Sequence, residues 1–173
     1  MAEPKIMTRG RYYLSPFREN HIPEIRRVLS AENIKELFLL GHNSVEEALN
    51  EMLEVTESYI VREEGGDILF VGGLWFDGDL DAPQMFAMFS NKIKENFTLL
   101  ARGSRMLVNF FDQTQPMMTM TILSEHEAMI QWAVWLGFEP VGVTEYKAHK
   151  YVEFVRCNPK QKNVYDKARP VKH

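Results

Sequence analysis

Apolar residues in the first third of the chain recur every three or four positions, the spacing of helices with one buried face. This pattern follows a short extended stretch at residues 12–17 and covers residues 20–29, 34–40 and 44–55. Asn20 and Ser44 are suited to cap the first and third of these segments, and Glu47 completes a capping box with Ser44. The sequence therefore predicts one strand followed by two or three helices.

Two runs rich in β-branched and aromatic residues come next, at 58–62 and 68–76. A turn with two adjacent glycines, at residues 64–67, separates them, so an antiparallel hairpin is predicted. An acidic, glycine-containing break at 77–81 precedes another extended run at 84–89, which is predicted to be the next strand.

The second half of the chain alternates helices with strands. Helical spacing runs from about Lys92 to Phe111, although Gly103 weakens a helix by about 1 kcal/mol relative to alanine. Methionine and threonine alternate at 117–123 as in a half-buried strand, and a helix opening at 124–126 is expected to stop at Gly137. Two extended segments at 139–146 and 150–155 complete the order.

Helices separate several of these strands, so some neighbouring strands must run parallel, whereas the hairpins are antiparallel. The predicted fold class is α/β (α+β), a mixed, mostly antiparallel sheet with helices on both faces. We place it in one domain at residues 12–156, between a flexible N-terminal segment at 1–11 and a basic C-terminal tail at 157–173.

Composition indicates the size of the core and the cellular compartment of this domain. The chain has 173 residues, of which 45% are hydrophobic, enough for one sizeable core. The single cysteine, Cys157, has no second cysteine for an internal disulfide, and no apolar run approaches the roughly 20 residues that cross a bilayer. No spacing typical of a zinc site occurs. We expect a cytosolic protein without a membrane span or a bound metal.

The formal net charge of −4 does not favour general nucleic-acid binding, which depends on neutralised phosphates. The end of the chain is an exception, because basic residues are concentrated there. We expect a solvated tail, and a contact arm for an acidic partner or nucleic acid is the alternative. Its basic residues are Arg156, Lys160, Lys162, Lys167, Arg169 and Lys172.

Residues 132–138, Trp-Ala-Val-Trp-Leu-Gly-Phe, resemble the helix-ending Leu-Gly-Phe signature of the GNAT N-acetyltransferases. The segment follows a strand and a helix and precedes two strands, as in that superfamily. Gly137 is suited to the left-handed cap that ends the helix. The resemblance implies a splayed central strand pair that holds acetyl-CoA or CoA, and transfer of an acetyl group to an amine.

A narrower resemblance covers residues 12–143: the chain is similar to the GNAT-like internal-virion-associated proteins of short-tailed, podovirus-type phages. This resemblance implies a role in virion assembly or host modification, in the host cytoplasm and packaged in the virion. The matching segments are Leu40-Gly41 with residues 44–49, Gly72-Gly73, residues 97–105, and Trp132 with residues 135–138.

The GNAT resemblance also implies a site for the cofactor's diphosphate after the strand at 84–89. GNAT enzymes have a glycine-rich loop there, whereas residues 89–96 of this chain contain no glycine. Side chains are expected to replace it, with a helix cap from Ser90 and Asn91 and positive charge from two lysines. The predicted cofactor-binding residues are Phe89, Ser90, Asn91, Lys92, Lys94 and Leu123.

The tyrosine with which many GNAT enzymes protonate the leaving thiolate stands four residues before the glycine of the signature, where this chain has Ala133. His126, near the start of the same helix, is the candidate acid or contact for the pantetheine arm. Carboxylates at the edges of the hairpin or just after it are candidate general bases, and the sequence does not choose among them. They are Glu57, Asp77, Glu63 and Asp79.

These departures from the family pattern leave two main functions open. One is an acetyl-CoA-dependent N-acetyltransferase. The other is a GNAT-shaped scaffold without catalysis, which acts in phage assembly or binds a host protein through exposed aromatic and acidic surface. A nucleic-acid binder that uses the basic tail is a third, weaker alternative.

Overall fold

A computed structural model describes residues 2–79 and 81–159 of the chain, so the predicted tail from Lys160 onward lies outside the described residues. Its helices and strands follow the predicted order, with one added strand at the start. The strands are β1 (Met7–Arg9), β2 (Tyr12–Pro16), β3 (Thr56–Glu63), β4 (Ile68–Trp75), β5 (Gln84–Phe89), β6 (Met117–Leu123), β7 (Glu139–Tyr146) and β8 (His149–Cys157). The helices are α1 (Ile22–Val28), α2 (Ala31–Leu39), α3 (Val45–Val55), α4 (Phe97–Asp112) and α5 (Glu127–Trp135).

The eight strands form one sheet in the order β1-β2-β3-β4-β5-β6-β8-β7. All neighbouring pairs are antiparallel except β5 and β6, which run parallel. This parallel pair joins two antiparallel halves, because α4 carries the chain from β5 across to β6. The predicted mixed, mostly antiparallel sheet is confirmed.

Helices cover both faces of the sheet, as predicted, and alternate residues along each strand divide between two cores. Val61 and Phe70 point to the larger core, which contains Leu107 and Phe111 of α4 and Trp132 of α5. The neighbouring residues Ile60 and Val71 point to the opposite core, beneath α1, α2 and α3. Of the described helices, none is long and apolar enough to cross a membrane.

The single helix predicted from Lys92 to Phe111 is wrong in one respect, because the structure divides it. Residues Asn91–Glu95 form a 3₁₀ turn, and α4 begins after Asn96. Asn96 has non-helical backbone angles, and its side-chain oxygen accepts a hydrogen bond from the Leu99 N–H at 3.3 Å. An asparagine in this position satisfies a free donor of the helix start, and that favours a new helix over a continuous one.

Residues 2–9, predicted to be a flexible segment before the domain, form contacts with it in the structure. Met7–Arg9 pairs with β2, and Glu3 accepts hydrogen bonds from Tyr13 and Arg62 at 2.7 and 3.0 Å. Burial alone would raise the pKa of Glu3, but the hydrogen bonds from Tyr13, Arg62 and His21 lower it to about 2. The mobility of this segment stays a prediction.

Gly73 allows β3 and β4 to approach closely where they enter the site described below. A Cβ atom at this position would lie 2.4 Å from the Glu57 carbonyl oxygen and 2.9 Å from the Ser58 Cα, both of them backbone atoms. Because backbone cannot move aside as a side chain can, we expect Gly73→Ala to lower the free energy of unfolding by about 3 kcal/mol. Urea unfolding followed by circular dichroism measures this change.

Gly78→Ala is the matched control, since a Cβ atom at Gly78 would meet nothing within 4 Å. We expect this control to change the unfolding free energy by less than about 0.5 kcal/mol. Equal stability of the two variants would show that the sheet relaxes around Gly73 and that the close approach of β3 and β4 is not required.

Candidate functional site

Strands β5 and β6 pair at their beginning and then separate. The only paired position between them in the described residues is Gln84 with Thr119, supported by a 2.9 Å hydrogen bond from the Thr119 N–H to the Pro83 carbonyl. Each strand stays fully paired on its other side, β5 with β4 and β6 with β8. The two strands therefore open as a wedge, which confirms the predicted splayed central pair.

A cavity of about 570 Å³ extends from this wedge. Its volume lies in the range of sites for small organic ligands. Residues of α2, α3, α5 and the β7–β8 hairpin line it together with β5 and β6. Its apolar wall includes Met85, Met88, Met120, Ile122 and Met129.

Tyr151 of β8 is one of the residues that line this cavity. The hydroxyl oxygen is buried and has no hydrogen-bond partner among the residues that the structure describes. Leaving a buried hydroxyl unpaired costs about 1–3 kcal/mol, so such a group in a native fold calls for a functional explanation. Burial raises the pKa of Tyr151, and the charges of Glu36 and Tyr146 raise it further. The group is therefore a proton donor that stays protonated at neutral pH.

Glu36 of α2 lines the same cavity. Asn33, Glu36, Leu37 and Leu40 all line it, as residues three or four apart on one helical face should. Burial raises the pKa of Glu36, and the charge of His126 opposes that increase. In the described part of the chain Glu36 has no ion-pair partner, so its carboxylate is available to a ligand.

His126, predicted from the sequence as a catalytic or cofactor contact, lies at the N-terminal end of α5 and lines the cavity. The structure thus brings His126 and Glu36 to one site. The other catalytic candidates lie elsewhere. Glu57 is exposed and accepts a hydrogen bond from the Tyr59 hydroxyl at 2.5 Å, and the Asp77 carboxylate accepts one from the Asp79 N–H at 3.1 Å. Neither Glu57 nor Asp77 is among the residues that line the cavity.

The predicted cofactor-binding segment lies at the open end of the wedge, where β5 ends. Ser90 accepts a hydrogen bond from the Lys92 N–H at 3.1 Å, which caps the 3₁₀ turn as predicted for a helix. The Lys92 ammonium forms an ion pair with Asp67. Asn91 is exposed, the side chain of Lys94 lies outside the described part of the structure, and Leu123 is buried opposite Tyr151 in the sheet.

Phe89 is the last residue of β5 and lies at the open end of the wedge. Its N–H donates to the Asn33 side-chain oxygen at 2.8 Å, its carbonyl accepts from the Ser30 N–H at 2.9 Å, and its ring contacts Trp132 at a centroid distance of 5.3 Å. Backbone groups along a strand alternate in direction, so those of Met85 and Ala87 also face away from β4. Met85 adjoins the paired position Gln84–Thr119, so the backbone groups of Ala87 are those of β5 that remain to bind a ligand in the wedge.

These observations test whether an acyl-CoA fits. The wedge offers the backbone amide of Ala87 and an apolar methionine wall, which suit the amide and alkyl parts of a pantetheine arm. Among the described side chains, Lys92 is the cation that follows β5, and its ammonium is paired with Asp67. The acyl end of such a ligand fits the cavity, and the diphosphate end depends on one surface lysine in place of a glycine-rich loop.

Sequence reasoning missed Glu36 and Tyr151. Both stand in ordinary patterns, one in an amphipathic helix and the other in an alternating strand, and neither is part of a recognised motif. Only the tertiary fold brings them to one cavity, which α2 and the β7–β8 hairpin both line. The absence of a tyrosine at position 133 was the available signal, because it leaves the role of the acid to another residue.

No family model matches this sequence, and no curated protein matches it. Solved structures are similar to it in fold. An acetyltransferase of the GNAT family from Bacillus anthracis superposes with a TM-score of 0.68 at 10% identity, over 91% of this chain and 99% of that one. Spermidine N-acetyltransferase from Vibrio cholerae, in complex with CoA and spermine, has a TM-score of 0.67 at 12% identity, with 88% and 99% covered.

A third similar structure is the ribosomal-protein-S5-alanine acetyltransferase from Vibrio fischeri, with a TM-score of 0.65 at 9% identity and coverage of 88% and 96%. These similarities show that the chain has the fold of GNAT acetyltransferases. Among the residues described, no group of three His, Cys, Asp or Glu side chains is placed to hold a metal ion.

Proposed function

We propose that this chain is an acetyl-CoA-dependent N-acetyltransferase, whose reaction takes place in the cavity at the wedge between β5 and β6. The thioester supplies an activated acyl carbon: the amine nitrogen forms a bond to it, the carbon–sulfur bond breaks, the nitrogen loses a proton and the sulfur gains one. The observation that carries the proposal is that a buried hydroxyl without a described partner and a half-buried carboxylate belong to residues that line one cavity, Tyr151 and Glu36.

Glu36 is the residue that accepts a proton from the amine. An amine in water is mainly protonated at neutral pH, and only the neutral form is a nucleophile. A carboxylate whose pKa is raised by burial is a stronger base than an exposed one, which suits this step. The ammonium form of the substrate is also attracted to Glu36 before the proton is transferred.

Tyr151 is the residue that donates a proton to the departing thiolate. Its raised pKa keeps the hydroxyl protonated, and the absence of a protein acceptor leaves the proton directed to the ligand. His126 lies beside Glu36 and stabilises the ionised carboxylate when the imidazole is charged. We assign His126 a positioning role and do not assign it the proton-donor role.

Acetyl-CoA binding and turnover test this proposal. Isothermal titration with CoA and a thiol-release assay with a panel of primary amines should give binding and amine-dependent release of free thiol. Protein that neither binds CoA at millimolar concentration nor releases thiol with any amine would contradict the proposal.

The ion pair between Lys92 and Asp67 favours a second candidate, because it occupies the cation on which a diphosphate would depend. That candidate is a GNAT-shaped phage scaffold for virion assembly or a host protein, present in the host cytoplasm and packaged in the virion. The resemblance to internal-virion-associated phage proteins supports it. The same titration separates the two functions, since a scaffold needs no affinity for CoA, and mass spectrometry of purified virions tests the packaging.

A further inference from the structure

Four large apolar side chains surround the outer part of the cavity, and each stays unusually exposed. They lie on four different elements and all line the cavity, so they form one rim; they are Leu40, Val55, Trp75 and Tyr146, with exposures between 42% and 50%. A single exposed apolar residue is common on protein surfaces, but a ring of them at the entrance of a pocket indicates an apolar ligand.

The cavity lining contains one carboxylate that is available to bind a cationic group of a ligand. Glu36 is the carboxylate there without an ion-pair partner, whereas Glu51, the other acidic residue of the described lining, lies 3.3 Å from His42. Other polar side chains of the lining are neutral, such as Thr144 and Gln84.

A cation already lies at the rim. The Lys147 ammonium is positioned over the ring of Tyr146, 5.3 Å from its centroid, in the β7–β8 turn close to Gly41. Its charge repels a second ammonium group at the entrance. A substrate with one amine is therefore favoured over a polyamine with charges along its length.

The geometry of α2 sets the distance between the Glu36 carboxylate and the rim residue Leu40. Glu36 and Leu40 are four residues apart on one helical face, which separates them by about one turn, or roughly 5–6 Å. An amine bound at Glu36 would reach the rim through a linker of about two to four atoms.

From these observations, we infer that the acceptor is a monoamine joined by a short linker to an apolar, aromatic-sized group, as in 2-phenylethylamine. This inference rests on the proposed acetyl transfer and goes beyond it in naming the class of acceptor. The amine binds Glu36, and the apolar group packs against the rim, with Trp75 as its largest contact.

Steady-state kinetics with three amines test the inference. We expect kcat/KM for 2-phenylethylamine to exceed the values for ethanolamine and spermidine by at least about tenfold, since burying a ring against the rim adds binding that neither of the others gains. Trp75→Ala should lower kcat/KM for 2-phenylethylamine by about tenfold, mainly through KM, and should change the value for ethanolamine by less than twofold.

Phe76→Ala is the matched control, because Phe76 is the adjacent aromatic residue, is 51% exposed and is not among the residues that line the cavity. This variant should leave kcat/KM unchanged for all three amines. Faster acetylation of spermidine, or an equal loss with every amine in Trp75→Ala, would overturn the inference and leave the acetyltransferase intact. Failure of all three amines and of the wider panel, with no CoA binding, would overturn the proposed function and the inference with it.

Discussion

Replacing Tyr151 by phenylalanine is expected to lower kcat for acetyl transfer by about 10²–10³-fold, the contribution typical of one positioned acid. The physical reason is that no other described hydroxyl lies buried and unpartnered in the cavity, so the leaving thiolate would depart unprotonated. The KM values for the amine and for acetyl-CoA should change by less than about threefold, because the ring of the side chain remains. Thiol-release kinetics under saturating substrates measure the effect.

The stability of this variant distinguishes catalysis from structure. Removing a hydroxyl that has no partner leaves no orphaned group behind, so we expect the melting temperature to stay the same or rise slightly. Tyr13→Phe is the control, since its hydroxyl donates to Glu3 at 2.7 Å, far from the cavity lining. It should lose some stability and keep its kcat. A Tyr151→Phe variant with full kcat would show that water or another side chain protonates the thiolate.

Most of the fold could be predicted because its signals are local. The capping box of Ser44 and Glu47 predicted the start of α3, and in the structure the Ser44 hydroxyl accepts a hydrogen bond from the Glu47 N–H at 3.0 Å. Gly137 has the predicted left-handed backbone at the end of α5, with φ of 92°. Such features depend on a few neighbouring residues, so the sequence displays them directly.

The broken helix and the strand β1 show where local signals fail. Apolar spacing continues through residues 92–111, and only the cap at Asn96 divides the segment. The presence of glycine at position 103 reflects close packing. A Cβ atom there would lie 2.6 Å from a ring carbon of Phe70, so glycine lets α4 approach the sheet. Contacts of this kind join residues that are distant in the chain.

The candidate site could be predicted only in outline. The resemblance to GNAT enzymes predicted the wedge between β5 and β6, but the carboxylates nearest the hairpin in sequence, Glu57 and Asp77, do not reach it. Glu36 and Tyr151 are 115 positions apart in the sequence and line one cavity only because of the tertiary fold. The catalytic assignment therefore depends on tertiary packing.

Glu36→Gln is expected to lower kcat/KM by about 10²–10³-fold, since an amide accepts no proton at neutral pH and does not attract the ammonium group. In the wild-type protein the rate should rise with pH as Glu36 loses its proton, at a pH above its ordinary pKa of 4.5 because burial raises that pKa. This acidic limb of the pH–rate profile should be absent from the variant.

The same substitution, Glu36→Gln, should raise the free energy of unfolding at neutral pH while it lowers activity. Glu36 holds its proton more tightly in the folded protein than in the unfolded chain, so its contribution to stability is greatest below the ordinary pKa of 4.5 and falls as pH rises through the raised pKa. Glutamine is neutral at every pH and avoids this loss. Urea unfolding at pH 4 and pH 8 should therefore show a larger decline for the wild type than for the variant.

Glu54→Gln is the control for both measurements, because Glu54 is an exposed residue of α3 that does not line the cavity. It should keep the pH–rate profile and the stability of the wild type. A gain in stability with a loss of activity is expected of a buried base, because the ionised carboxylate that accepts the proton is the form that burial destabilises. If Glu36→Gln lost stability and activity together, the carboxylate would hold the fold and another group would accept the proton.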